Sequence, residues 1–368
     1  MTSVCFVVAN AFQAGHIAAL ARRVGGTLIA RPKLAKTLTV DAKVLPWRRT
    51  WTALDGVYDV IAGQTTFAGA GTMRKSRVVF VQYGYAKEPH NFGGWRGFAD
   101  LNIAYGPYAA AKMAHFAPSL PLGHPRQQEV LSDGFTQAAR DRYGPSLNPD
   151  LPTVLYAPTW GPLSSFERYG DALLALSDRY NLLFKLHHLT AEREKDRVAK
   201  LRDEGVQFFG AGDDFFALAV LADAVISDYS GAIFDAGLLG KPVVLFDLPD
   251  AVGTAKMDPD SLEITRRADL GQVVAHPADV AAGLQAALSE PLADSTLIQS
   301  LYADEPDPLD AMAKAIAAVA AGEIEPTQMQ RYAMTFVRGQ EARTVRIKRR
   351  SLAALGVGIA LFIALLLI

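Results

Sequence analysis

The sequence predicts an α/β protein with two Rossmann-like domains facing a cleft, plus one C-terminal transmembrane helix. Three observations carry that reading. Short apolar runs recur along the chain, separated by segments long enough for a helix, which is the spacing of parallel βαβ units. A polar break rich in proline and glycine, residues 140–152, divides these runs into two series. Residues 351–368 carry no charge and follow a basic stretch. The expected division is an N-terminal Rossmann-like, acceptor-side domain over 1–140 and a C-terminal nucleotide-binding domain over 151–330. A basic juxtamembrane segment, 331–350, and a transmembrane anchor, 351–368, follow.

Composition sets the outer limits. The chain has 368 residues, 50% of them apolar and 20% charged, which is ordinary for globular domains and sufficient for two. A formal net charge of −1 gives the whole molecule no polyanion-binding character. One cysteine, Cys5, excludes an internal disulfide framework and a cysteine-built metal site. It stands in an apolar run, as a buried reduced thiol in the cytoplasm would.

Residues 4–9 read as the first buried strand, 10–15 as a loop and 16–23 as a helix. No positive n-region precedes this apolar stretch, and Asn10, Gln13 and His16 interrupt it, so it is not read as a signal peptide. His16 stands where a strand's C-terminal loop could offer it to a ligand, although a histidine at a helix start is ordinarily solvated. Further strands are expected near 27–30, 58–62, 77–82 and 101–104. The loop over 82–95, QYGYAKEPHNFGGW, follows a strand and is crowded with glycine, aromatics, Lys87, Glu88 and His90. Parallel α/β folds place ligands at such loops. Residues 121–126, PLGHPR, bring His124 and Arg126 to the end of the first domain. A plain turn held by Gly123 and Pro125 accounts for them equally well.

The second series opens with a strand over 153–157, then Pro158, Thr159 and Trp160. A helix over about 166–179 leads to a strand over 181–186, which ends at Lys185-Leu186-His187-His188. The two histidines are not a metal pair, because adjacent strand residues point to opposite faces and no thiol or carboxylate stands at ligand spacing. Residues 192–204 alternate in charge sign, the mark of a solvated helix face. A strand over 206–209 and a helix after Asp213-Asp214 come next.

Residues 222–247, ADAVISDYSGAIFDAGLLGKPVVLFD, read strand, tight loop, helix, turn, strand. Ala224 to Ile226 are the buried strand, and Ser227 to Gly231 break it. The helix runs from about 232 to 239, closed by Gly240 and stopped by Pro242. The loop thus ends at a helix start, where free N–H groups and the positive end of the macrodipole suit an anion. The plain alternative makes Ser230 an N-cap and Gly231 a turn residue. Three loops, 158–161, 187–188 and 228–231, leave strand ends in one domain and would converge on one crevice. After an irregular 248–267, residues 270–288 close the domain. Leu309, Met312, Ile316 and Val319 recur at helical spacing as a packing stripe.

The tail is a separate element. At ~1.5 Å per residue, 351–368 would span roughly 27 Å, close to a bilayer core. Arg338, Arg343, Arg346, Lys348, Arg349 and Arg350 precede it, and positive residues beside a span favour the cytoplasmic side. The expectation is a single-pass anchor on the cytoplasmic face of a bacterial membrane, its basic run on anionic headgroups.

S-D-Y-S-G-x-x-F-D (227–235) followed by G-K-P-V-V-L-F-D (240–247) resembles the signature of the CDP-glycerol glycerophosphotransferases, which build teichoic-acid-type poly(polyol phosphate) chains. Y-A-P-T-W (156–160), the Lys185-x-His187 segment and 121–126 resemble further motifs of that family in the same order. The resemblance implies the GT-B arrangement, no cofactor, a CDP-polyol donor and a lipid-linked acceptor, with polyol phosphate transferred to a hydroxyl and CMP released. It assigns Ser230, Gly231 and the helix start to the pyrophosphate, His187 to a phosphate or to acid–base work, and Thr159 to the leaving nucleotide. Lys185, Asp228 and Asp235 complete the expected substrate-binding set. Two departures stand out. Tyr83-Gly84 occupies the place of the family's His-Gly pair, so Tyr83 or, further along, His90 becomes the catalytic candidate. Gly161 stands where an arginine commonly follows the tryptophan. No Walker motif, G-x-G-x-x-G or metal triad is present, which argues against a kinase, a dehydrogenase or a metallohydrolase. Two alternatives share the fold: a nucleotide-sugar glycosyltransferase, and a membrane-anchored binding subunit that has lost catalysis.

Overall fold

The computed structural model describes residues 2–210, 212–254, 257–290 and 296–366; the side chains of 188, 191, 192, 254, 349 and 352–366 lie outside the description. Two parallel sheets, each with helices on both faces, build the chain. In the first, β1 (Val4–Val7), β2 (Thr27–Ala30), β3 (Val44–Pro46), β4 (Val60–Gly63), β5 (Arg77–Val81), β6 (Leu101–Ala104) and β7 (Ser119–Pro121) lie in the order β3-β2-β1-β4-β5-β6-β7. In the second, β8 (Thr153–Tyr156), β9 (Asn181–Lys185), β10 (Phe208–Phe209), β11 (Ala224–Ser227), β12 (Val243–Phe246) and β13 (Gln272–Val274) lie in the order β10-β9-β8-β11-β12-β13. The central strands are buried from end to end, as apolar runs covered on both faces must be. The strand order reverses between β1 and β4 in one sheet and between β8 and β11 in the other, and such switch points open crevices at the strands' carboxyl ends.

Eight helices matter for the site and its frame: α1 (Ala11–Arg23), α2 (Glu88–Phe92), α3 (Phe166–Leu174), α4 (His188–Arg193), α5 (Phe215–Ala219), α6 (Ala232–Leu238), α7 (Pro308–Ala321) and α8 (Gln328–Leu366). The expected domain limit at 330 is corrected by α7. Its stripe of Met312, Ile316 and Val319 is buried against Phe6, Ile17 and Val79 of the first domain. The chain has already crossed back at Ala303, whose N–H donates to the Tyr105 carbonyl at 2.7 Å. Cys5 is buried as expected, and burial pushes its thiol upward.

α8 is a continuous helix of 39 residues, about 58 Å long at ~1.5 Å per residue. Its base is docked on the first domain. The Arg338 guanidinium donates to the carbonyls of Gly97, Phe98 and Ala99 and to Asp100 at 2.9–3.2 Å. Glu341 accepts from the N–H groups of Gly69 and Gly71. Arg338 is therefore engaged by the protein, which corrects its expected place on headgroups; Arg343, Arg346, Lys348 and Arg350 are exposed. Among the described residues no helix is long and apolar enough to cross a membrane. The expected anchor over 351–368 falls almost wholly outside the described side chains.

Candidate active site

The loop after β11 is held from beneath. Asp228 is fully buried, and its carboxylate accepts from the N–H groups of Thr159 (2.8 Å), Ser165 (2.9 Å) and Tyr229 (2.7 Å) and from Ser165 Oγ (3.0 Å). Its acceptor capacity is spent inside the fold, so Asp228 is corrected from ligand to brace: it ties the 158–165 loop to the 228–231 loop. Arg267 supports the same loop from behind. It donates to the carbonyls of Asp228 (2.8 Å) and Phe246 (2.7 Å) and lies 4.2 Å over the Tyr229 ring, while the Tyr229 hydroxyl donates to Asp247 at 2.6 Å.

Above this support Ser230 and Gly231 start α6. Ser230 Oγ accepts from the Ala232 N–H at 3.3 Å, while Gly231 itself holds the N-cap position. The N–H groups of Ser230 and Gly231 donate to no acceptor among the described residues. Gly231 has right-handed backbone angles, and a Cβ built on it would meet nothing within 4 Å. The loop therefore presents two donors and open space at one place.

Thr159 is buried beside it, and its Oγ1 has no partner among the described residues. Trp160 stacks over His187, with ring centroids 6.1 Å apart and planes at 23°. His187 caps α4, its Nδ1 accepting from the Leu189 N–H at 3.2 Å, so the neutral ring carries its proton on Nε2. Gly161 has φ 66°, a left-handed conformation that disfavours a side chain, which accounts for the missing arginine. Lys185 donates to the carbonyls of Gly210 (2.8 Å) and Leu186 (3.3 Å), and burial lowers its pKa. Lys185 is thereby corrected from substrate ligand to a brace of the loop before α5.

The first domain supplies the opposite wall. Tyr83 is half-buried, with its ring 5.5 Å from that of Phe12. Burial raises its pKa, the Asp235 charge adds to the shift, and a hydrogen bond with Asn10 opposes it. Asp235 reaches from α6 into the same field: burial pushes its carboxyl up to about 7, with Arg126 opposing and Asp214 reinforcing. The two candidates thus stand within electrostatic reach across the cleft. His90 is exposed on α2, where its carbonyl accepts from Trp95 Nε1.

Lys87 belongs to the same loop. At φ 60°, it is the positive-φ residue other than glycine among the described residues, a conformation that often marks a functional constraint. Its N–H donates to the Glu263 carboxylate at 2.5 Å, and its ammonium lies in the field of Asp228 and Glu263 while burial lowers its pKa. Nothing in the sequence distinguishes Lys87 from its loop neighbours, because the signal is a backbone angle and a partner 176 residues away.

His124 and Arg126 lie where the two domains meet. Arg126 forks onto Asp214 at 3.0 and 2.7 Å and onto Glu129 at 2.9 and 3.1 Å. His16 is buried here and not solvated, 5.1 Å from His124 by ring centroids, and neither of its nitrogens has a protein partner. Burial lowers its pKa to about 3, so it is a neutral imidazole in the cleft floor. Among the described residues no group of three or more histidine, cysteine, aspartate or glutamate side chains could hold a metal ion.

Residues 108–251 match the family model of CDP-Glycerol:Poly(glycerophosphate) glycerophosphotransferase. A teichoic acid glycerol-phosphate transferase of Staphylococcus aureus (strain NCTC 8325 / PS 47) is 28% identical over 107 residues, covering 26% of this chain and 26% of the relative. A teichoic acid poly(glycerol phosphate) polymerase of Bacillus spizizenii (strain ATCC 23059 / NRRL B-14472 / W23) is 30% identical over 135 residues, covering 34% and 31%. The chain thus matches between a quarter and a third of the length of these relatives. The fold likeness extends further: the wall teichoic acid polymerase TagF superposes with a TM-score of 0.65 at 15% identity, over 88% of this chain and 90% of that one. This likeness shows the paired α/β fold.

Proposed function

We propose that the chain transfers a polyol phosphate, most simply glycerol phosphate from CDP-glycerol, to a hydroxyl on a lipid-linked or polymeric acceptor and releases CMP. The acceptor oxygen forms a bond to the β-phosphorus, the bond from that phosphorus to CMP breaks, and the hydroxyl proton passes to a base. Such a step needs positive or N–H groups at the phosphates and a base beside the hydroxyl. Lys87 and the N–H groups of Ser230 and Gly231 are suited to the pyrophosphate. Thr159 stands beside the leaving nucleotide, and His187 serves a phosphate or acid–base work. Asp235, with Tyr83 across from it, is placed to take the proton.

The observation that carries the reading is the open, doubly braced loop at 228–231 within the segment that matches the family. The test is CMP release from CDP-glycerol by the full chain with a poly(glycerol phosphate) acceptor, beside a panel of nucleotide sugars. Release from a nucleotide sugar alone would make it a glycosyltransferase. Binding without any release would make it a degenerate subunit, the reading that Tyr83 and Gly161 motivate. We further propose that 351–368 anchors the protein to the cytoplasmic face of the membrane, supported by the uncharged length of the segment and the exposed basic residues before it.

A further inference from the structure

A second polar cavity lies at the opposite end of the first sheet. It is a groove of about 540 Å³ between β5, the segment after α7 and the base of α8, lined by Arg74, Arg77, Arg331 and Arg338 with Asp100 as the acidic residue. Arg338 and Arg77 share that carboxylate, at 3.1 and 3.9 Å. Among the described residues the guanidinium groups of Arg74 and Arg331 donate only to backbone carbonyls, of Met73 at 3.5 Å and of Pro326 at 2.6 Å. Four guanidinium groups against one carboxylate leave the groove strongly positive on a chain whose net charge is −1.

We propose that this groove binds a linear phosphodiester chain, the acceptor or product polymer of the reaction proposed above, at a point remote from the cleft. Guanidinium forks match phosphate oxygens and retain their charge at any physiological pH. Several of them spread along a groove suit repeated phosphates better than a single anion. Position separates this ligand from a membrane headgroup. Arg338 precedes Ser351 by 13 helical residues, about 20 Å of axis at ~1.5 Å per residue, so a bilayer meeting the apolar tail would lie beyond the groove's reach. Position also fits a chain that starts at the cleft. Arg77 opens β5 and Tyr83 follows its far end, six residues and about 20 Å away. A polymer held at both places would stay bound while its growing end is presented repeatedly. This role rests on the proposed transfer reaction, but binding can be read without turnover.

The test uses the full chain in neutral detergent micelles, with no donor present, and compares three probes: inorganic phosphate, a short poly(glycerol phosphate) oligomer, and phosphatidylglycerol vesicles. The oligomer should bind with an affinity that falls as salt rises, and Arg77→Gln with Arg331→Gln should weaken it about tenfold, the loss of two charge-assisted contacts. Both residues are exposed, and Arg74→Gln serves as an independent variant if circular dichroism shows the double variant misfolded. Unaltered oligomer affinity in the arginine variants would overturn the proposal. So would phosphate binding as tight as the oligomer's, or a loss confined to vesicles. An absence of CMP release with arginine-dependent oligomer binding intact would instead count against the transfer reaction alone.

Discussion

At the level of single residues the site divides into groups that hold and groups that serve. Asp228 and Lys185 occupy matched motif positions yet turn inward, and a motif cannot disclose which way a side chain turns. His187 keeps its expected place at the end of β9. His187→Ala should reduce turnover on the order of 10²–10⁴-fold, the span of a lost general acid or base, while calorimetry still detects CDP-glycerol binding. Normal turnover in that variant would remove His187 from the chemistry. Asp235 makes a pH-dependent statement. Its carboxyl is raised from 3.8 to about 7 in the fold, so between those values the native state binds more protons than the unfolded chain. Stability contributed by this group therefore falls as pH rises through that window. Asp235→Asn should raise the melting temperature at pH 8 and change it little at pH 4; an equal change at both would place the effect elsewhere.

Among the elements, the central strands were legible because each is an apolar run of the right length. β3 and β7 were not, being short edge strands that each end in proline, Pro46 and Pro121, where a ladder can tolerate one. The loop–helix unit at 227–238 was legible as a possible anion site, but its support by Arg267 and Asp228 was not, since those contacts cross tens of residues. Gly231 offers the direct check. Its right-handed angles and the open space around it mean that Gly231→Val should fold, shown by an unchanged thermal transition, and lose nucleotide binding. Retained binding would detach the phosphate from this loop. Gly161 differs, because at φ 66° a side chain is strained. Gly161→Ala should cost about 1–2 kcal/mol in denaturant unfolding, with a larger loss of activity than of stability as the Trp160–His187 stack shifts.

For the whole molecule the division into two α/β halves was visible at the polar break, whereas the return of the chain was not. The helical stripe at 309–319 announced packing without naming its partner. α8 extends this return. Replacing Arg338 with alanine should destabilise the first domain by about 1–3 kcal/mol, because its carbonyl partners and Asp100 lose a partly buried cation, and urea unfolding would report it. Deleting 351–368 should spare that docking and leave a folded, nucleotide-binding protein. The crossing at Ala303 also bears on biosynthesis. The first sheet is translated early, but Met312, Ile316 and Val319, which seal its α1 face, leave the ribosome only after the entire second half. An emerging chain must therefore carry an unsealed apolar face through the synthesis of about 190 residues, some 10–40 s at ~5–20 residues per second. The early half waits for the late one, and its α1 face is closed only when the helix that completes it has arrived.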